Sequence, residues 1–181
     1  MKTARDVIKF WFEDHDKEDW FGGKPEFDAA LAEAFADTHG PVAKGEAWSW
    51  RATTDGRLAE IIVLDQFSRQ LHRGRPEAFA QDRMALALAQ EFVLRGLDQD
   101  LPADRRMFVY LPYMHSESLV IHEEAMRLYT ALGDEDALDY ERKHQAAIAR
   151  FGRYPMRNAA LGRTSTPEEA AYIAEHAERG F

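Results

Sequence analysis

Ser118-Leu-Val-Ile-His-Glu-Glu-Ala-Met-Arg-Leu-Tyr-Thr-Ala-Leu-Gly133, followed by a run from Asp134 to Phe151-Gly152, decides the fold. Ser116 or Ser118 supplies an N-cap, and Gly133 closes the first helix. Asp134 caps a second helix that Gly152 ends. So short a connection makes the two helices antiparallel neighbours.

Outward from this pair, helix signals recur and strand signals do not. Thr3 caps a helix carrying Asp6 in its first turn, with Val7, Ile8, Trp11 and Phe12. Pro25 suits the first turn of the next, whose Phe27, Leu31 and Phe35 repeat at i, i+4, i+8, and His39-Gly40-Pro41 ends it. Trp48 and Trp50 fall in an irregular connection, where aromatic residues are expected to plug a core edge. A third helix spans Asp55-Gly56 to just before Gly74, and Pro76 opens a fourth reaching Arg95-Gly96. A fifth starts after Asp100-Leu-Pro-Ala and is interrupted around Pro112. Thr166-Pro167-Glu168-Glu169 is a capping box that starts a last helix. Segments 78–112 and 117–150 each suit a helical hairpin near the ~34-residue period of tetratricopeptide units. The expectation is all-α: antiparallel helical hairpins in a tetratricopeptide-like α-α superhelix, forming a single all-helical domain over 1–181.

Composition narrows the function classes. The chain has 181 residues, 45% of them hydrophobic, enough for a full core without staples. It has no cysteine, which removes disulfides, thiolate metal sites and cysteine nucleophiles. A net charge of −9 argues against nucleic acid and acidic membrane as partners. No apolar run suits a signal peptide or a membrane span, so a cytoplasmic location is expected.

Against this acidic background the loop Arg150-Phe-Gly-Arg-Tyr-Pro-Met-Arg-Asn-Ala-Ala-Leu-Gly-Arg163 gathers four arginines and Asn158. Clustered guanidinium groups need carboxylates from elsewhere in the fold or an anionic ligand. Two further polar strings, Leu64-Asp-Gln-Phe-Ser-Arg-Gln-Leu-His-Arg73 and Tyr113-Met-His-Ser-Glu117, are expected to supply them. At about 100° per residue, Asp65, Arg69 and His72 extend the face of Leu58, Ile61 and Ile62, while Val63, Phe67 and Leu71 line the opposite side. A helix apolar on both sides is buried, so Asp65 and Arg69 are expected to enter the interior as an i, i+4 pair. Asp82 shares a face with Phe79, Leu86 and Val93, where a carboxylate needs a cation. His144 lies among Tyr140, Ala147, Ile148 and Phe151. The charged residues between Glu135 and Lys143 suit a solvated face. His115, His122 and Glu123 lack any recognised metal-ligand spacing, and no nucleophile elbow, Walker loop or dinucleotide fingerprint appears, so no metal or cofactor is expected.

Five ordered motifs then add a resemblance: Leu64-Asp-Gln-Phe-x-Arg69, Phe79-Ala-x-Asp82, Leu111-Pro-Tyr-Met-His-Ser-Glu117, Arg150-Phe-Gly-Arg-Tyr-Pro-x-Arg-Asn158 and Leu161-Gly-Arg-x-Ser-Thr-Pro-Glu-Glu169. With Phe10-Trp-Phe12 they resemble, over nearly the whole chain, the uncharacterised bacterial family catalogued as domain of unknown function 924. The resemblance implies an all-helical, tetratricopeptide-like fold and brings no activity, cofactor or catalytic assignment. The chain departs from the family pattern at Ser68, Gln70, His122 and Met156, where proline, asparagine, glutamine and histidine are usual. The change at Met156 leaves His115 and His144 as the histidine candidates.

Three functions compete at this stage. The first is binding of a small anion or acidic peptide terminus by Arg69, Arg153, Arg157 and Asn158, with Asp65, Asp82 and Arg163 as a structural ion-pair network. In the second, an enzyme uses His115 or His144 as acid or base in the same pocket, with Glu117 or Asp65 assisting. The third is a protein–protein adaptor whose polar strings are purely structural.

Overall fold

In the computed structural model, which describes residues 1–176, helices account for all the regular secondary structure of the described residues. The chain forms two compact units, one of Met1–Arg73 with Glu77–Pro112, the other of Gly74–Pro76 with Tyr113 onward.

The first unit begins with α1 (Ala4–Phe12), where Thr3 and Asp6 close a reciprocal capping box. A five-residue helix, α2 (Lys17–Phe21), follows, capped by Asp16 and too short to show periodicity in the sequence. Helix α3 (Pro25–Ala43) runs through His39-Gly40-Pro41 instead of stopping there. The expected break fails because only Val42 and Ala43 follow Pro41 in the helix, so its missing amide and its ring leave little helix to disrupt. Its buried face therefore continues past Phe27, Leu31 and Phe35 to Thr38, His39 and Val42. Trp48 and Trp50 sit on a 3-10 turn, Trp48–Ala52, and Trp48 is 70% exposed, so it plugs nothing.

Next come α4 (Thr54–Ile62), a π-helical segment Val63–Phe67 and α5 (Ser68–Leu71), in immediate succession. Gly56 in the first turn of α4 lies hard against the 3-10 turn: a Cβ there would stand 2.0 Å from the Trp50 carbonyl oxygen. The π-segment has a side-chain explanation. The Leu64 carbonyl accepts the Ser68 hydroxyl at 2.6 Å, and the Asp65 carbonyl accepts the Arg69 guanidinium at 2.7 Å. Each donor comes from the residue whose amide would fill that place in an α-helix. The wider turn also carries the apolar pattern all round, and every residue from Leu58 to Ser68 is buried.

After a 3-10 turn at Pro76–Phe79 the chain continues with α6 (Asp82–Leu94) and α7 (Ala103–Met114). Pro112 lies inside α7 without interrupting it, again because it falls in the last turn. The first unit's core is aromatic: Trp11 stacks on Trp20 at 5.7 Å and meets Phe67 and Phe108 at 5.5 Å each.

The second unit is built on α8 (Leu119–Leu132) and α9 (Glu135–Phe151), antiparallel neighbours joined by Gly133-Asp134. Gly133 and Gly152 end them in the left-handed conformation, with φ of 77° and 68°. A 3-10 turn, Pro155–Arg157, leads to α10 (Pro167–His176), whose first turn is capped by the Thr166 hydroxyl accepting from the Glu169 amide. Ala147, Ile148 and Tyr154 form a small core here, with Tyr172 packed on it.

Candidate functional site

Within the second unit, two of the three polar strings meet. The turn Met114–Glu117 after α7 presents three successive backbone carbonyls, and each receives a side-chain donor. The Tyr154 hydroxyl donates to Met114 at 2.5 Å, Arg157 Nη2 to His115 at 2.9 Å, and His122 Nε2 to Ser116 at 2.9 Å. Carbonyls at a helix C-terminus have no partner in the helix, so these donors act as a cap. The Arg157 charge also suits the negative end of the helix dipole.

Glu117 closes the clasp. Its carboxylate takes a two-pronged bond from Arg163, at 2.8 and 2.9 Å, and the Tyr154 amide at 2.8 Å. Burial pushes its pKa up, but the Arg163 hydrogen bonds, the Tyr154 amide and the Arg157 and Arg163 charges outweigh that and hold it below the usual carboxylate range. Arg163 further bonds Asn158 Oδ1 at 2.9 Å and the Tyr154 carbonyl at 3.0 Å. Asn158 is buried, and its amide nitrogen reaches Ser165 at 3.0 Å.

The other loop arginines also meet acids. Arg153 forks onto Glu169 at 2.6 and 2.8 Å, and Arg150 bonds Glu168 at 2.8 Å. Glu169 does two things: it accepts the Thr166 amide in the capping box and neutralises Arg153. Those contacts, Arg153 first, pull its pKa down to about 2. Sequence reasoning had given Glu169 only the capping role, because its position three residues after Thr166 already explained it. Arg157 is half-buried, with its guanidinium 4.6 Å over the Tyr154 ring.

The histidines have distinct settings. His115 is half-buried, with its backbone carbonyl under Arg157. His144 donates Nδ1–H to the Tyr140 carbonyl at 2.8 Å and meets the Tyr154 ring edge-on. Burial, with His115, His122 and Arg157 nearby, holds its pKa down to about 3, so it stays neutral near pH 7. A base so weak is poorly matched to proton transfer at neutral pH.

The most enclosed pair was not among the candidates. His122 and Glu141 are both fully buried, with Nδ1 and Oε1 2.6 Å apart. His122 Nε2 faces two acceptors, the Ser116 carbonyl and the Tyr154 hydroxyl, whose own proton goes to Met114. Nε2 therefore carries a hydrogen by the logic of the network. His122 presents no lone pair to a substrate, and its role is to hold the turn. The signal was present in the sequence: His122, Ala125 and Tyr129 share a helical face, and so do Leu138, Glu141 and Ile148. Assigning residues Glu135–Lys143 wholesale to solvent hid Glu141; conversely, Tyr140 from the expected buried stripe is 58% exposed.

The remaining string forms its own network in the first unit. Arg69 bonds Asp82 through two nitrogens, at 3.0 and 3.1 Å, and lies 3.1 Å from Asp65 Oδ1. Asp65 is buried, and Gln66 donates to its second oxygen at 2.5 Å. A recess of about 460 Å³ lined by Thr53, Thr54, Asp55, Asp100 and Leu101 also lies in this unit. Its carboxylates make it unsuited to an anion. Among the described residues no cluster of His, Cys, Asp and Glu could hold a metal ion, and no helix is long and apolar enough to cross a membrane.

The comparisons agree with this architecture and stop short of a function. Residues 7–177 match the sequence pattern of a family described as bacterial protein of unknown function, DUF924. A solved structure of a protein of unknown function from Agrobacterium tumefaciens is 35% identical, covers 95% of this chain and 97% of its own, and superposes with a TM-score of 0.90. No curated protein matches the chain. Helical throughout its regular structure, and matched over nearly all its length, the chain belongs to the DUF924 family of bacterial proteins.

Proposed function

We propose that this protein is a protein–protein adaptor built on tetratricopeptide-like helical hairpins, with the arginine-rich loop serving as the clasp that fixes its α8–α9 hairpin. One observation carries this: the loop's charges are used internally, Arg163 on Glu117, Arg153 on Glu169 and Arg150 on Glu168. A guanidinium already forked onto a carboxylate has little left to offer a second anion. Meanwhile the hairpin presents apolar surface, with Val120 71% exposed beside Leu119 on α8, and Tyr140 on α9. A photo-crosslinking amino acid placed at Val120 or Tyr140 in cells is expected to capture a discrete protein, and one at exposed Lys9 is not. Equal labelling at all three positions would defeat the adaptor function.

A second function keeps support from Arg157. A half-buried guanidinium stacked on an aromatic ring is a geometry that recognises carboxylate and phosphate. Thermal shift with inorganic phosphate, citrate and a peptide ending in a free carboxylate, on wild type and Arg157→Ala, separates the two. The adaptor function expects no stabilisation that depends on Arg157; stabilisation lost in Arg157→Ala would establish anion binding instead.

A further inference from the structure

The π-helical segment is held from outside by a histidine that no other part of the architecture explains. His39, on α3, is 8% exposed, and its Nε2 lies 2.8 Å from the Ser68 hydroxyl. That hydroxyl gives its proton to the Leu64 carbonyl inside the π-segment. Ser68 therefore accepts from His39, and the relay runs His39 Nε2–H to Ser68 to Leu64. It works with a neutral imidazole. The ring of His72, at the end of α5, stands 5.1 Å from the His39 ring, inclined to it at 67°.

We propose that His39 and His72 form an acid-responsive latch on the π-segment, closed while His39 is neutral and released when it takes up a proton.

The surroundings of His39 set the cost of the charge that protonation would create. Helix α3 packs on the π-segment and α5, and α1 touches it through the Phe10 and Phe35 rings. Of the carboxylates on these elements, Glu26, Glu33 and Asp37 of α3 are exposed to solvent, and the others are bonded to groups other than His39. Asp65 is held by Arg69 and Gln66, Asp28 on α3 itself by Arg73, and Asp6 on α1 by Thr3. The remaining charged groups include cations: Arg69 and Arg73 at α5, Arg5 and Lys9 on α1, and Lys2, whose amide donates to Thr38. Lys9 pairs with Asp14. Asp37, on α3 beside Thr38, is exposed. Among the described residues no carboxylate bonds His39, and the titratable group facing it is a second imidazole. A buried imidazolium without an acid partner is costly, and a like charge at His72 adds to the cost.

The direction follows from linkage. Burial, and after it His72, hold the His39 pKa below its ordinary value. An opened segment would restore that ordinary value, so the open state binds the proton more tightly. The latch is at full strength above about pH 6.5 and weakens as pH falls below it, with opening favoured by up to about tenfold per pH unit for one proton.

Hydrogen exchange of the full-length protein between pH 7.5 and 5, corrected for intrinsic rates, tests this. Peptides covering Val63–Leu71 and the C-terminal half of α3 are expected to lose protection several-fold as pH falls. His39→Gln keeps an N–H donor for Ser68 but cannot charge, and is expected to abolish the pH-dependent part. Equal pH dependence in wild type and His39→Gln would overturn the proposal, as would protection in wild type that does not change with pH. If His39→Gln fails to fold, nitrogen NMR of the wild-type imidazoles decides: ionisation of His39 must coincide with the loss of protection, and ionisation without loss overturns the latch.

Discussion

Replacing Arg163 with alanine removes four hydrogen bonds at once: two to Glu117, one to buried Asn158 Oδ1 and one to the Tyr154 carbonyl. The cost can be built from its parts. Taking one partner from a fully buried ion pair costs about 3–5 kcal/mol. The Arg163 and Glu117 side chains remain 22% and 27% exposed, so water relieves the stranded carboxylate. Discounted for that screening, about 1–2 kcal/mol remains. Asn158 is shielded, and an unsatisfied buried acceptor costs about 1–3 kcal/mol. With the Tyr154 carbonyl at about 1 kcal/mol, the total comes to about 3–6 kcal/mol. For a chain of this size that lowers the melting temperature by roughly 6–24 °C. Urea denaturation of Arg163→Ala, Glu117→Gln and the double variant gives the cycle. The double variant is expected to lose less than the sum of the singles, because Glu117→Gln removes the charge that Arg163→Ala strands. A loss below about 1 kcal/mol for Arg163→Ala, or strict additivity, would refute the clasp as a stabilising element.

Arg69→Ala removes the cation that Asp65 and Asp82 share and, with the side chains only 19%, 1% and 17% exposed, is expected to cost about 3–5 kcal/mol in urea denaturation. Asp82→Asn, which leaves Asp65 in place, should cost less. His144 is expected to remain neutral in an NMR titration until the pH approaches about 3. Because its folded pKa lies below the ordinary value, its contribution to stability is complete above about pH 6.5 and lost as pH falls towards 3, and His144→Gln should flatten that part of the stability profile. Gly56→Ala drives a methyl group into the Trp50 backbone and is expected to destabilise by about 1–3 kcal/mol, measured by thermal melting.

Capping chemistry made most of the fold legible. Thr3, Asp134 and Thr166 each mark a helix start in the sequence and each accepts the expected amide in the structure. Prolines misled because their effect depends on where they fall: Pro41 and Pro112 lie in last turns, where little hydrogen bonding remains to be lost. The π-segment was illegible because its defining contacts come from side chains bonding backbone, a pattern that leaves no periodic trace. Glu117 and Glu169 were visible as acids, but which arginine each takes depends on a loop path that residue spacing does not encode. His39 escaped notice once its helix was taken to end beside it.

The three carbonyls at Met114–Ser116 bear on the order in which the protein can be completed on the ribosome. Their turn is synthesised well before its tethers: Tyr154 follows Met114 by 40 residues, Arg157 follows His115 by 42, and Arg163 follows Glu117 by 46. Of the three caps only His122 arrives early, six residues after Ser116. A nascent chain therefore carries the end of α7 with two of these carbonyls still hydrated while both helices of the hairpin emerge, and the turn locks only when the arginine loop is free of the exit tunnel. Rare codons or stalling between Gly133 and Arg163 would lengthen that interval.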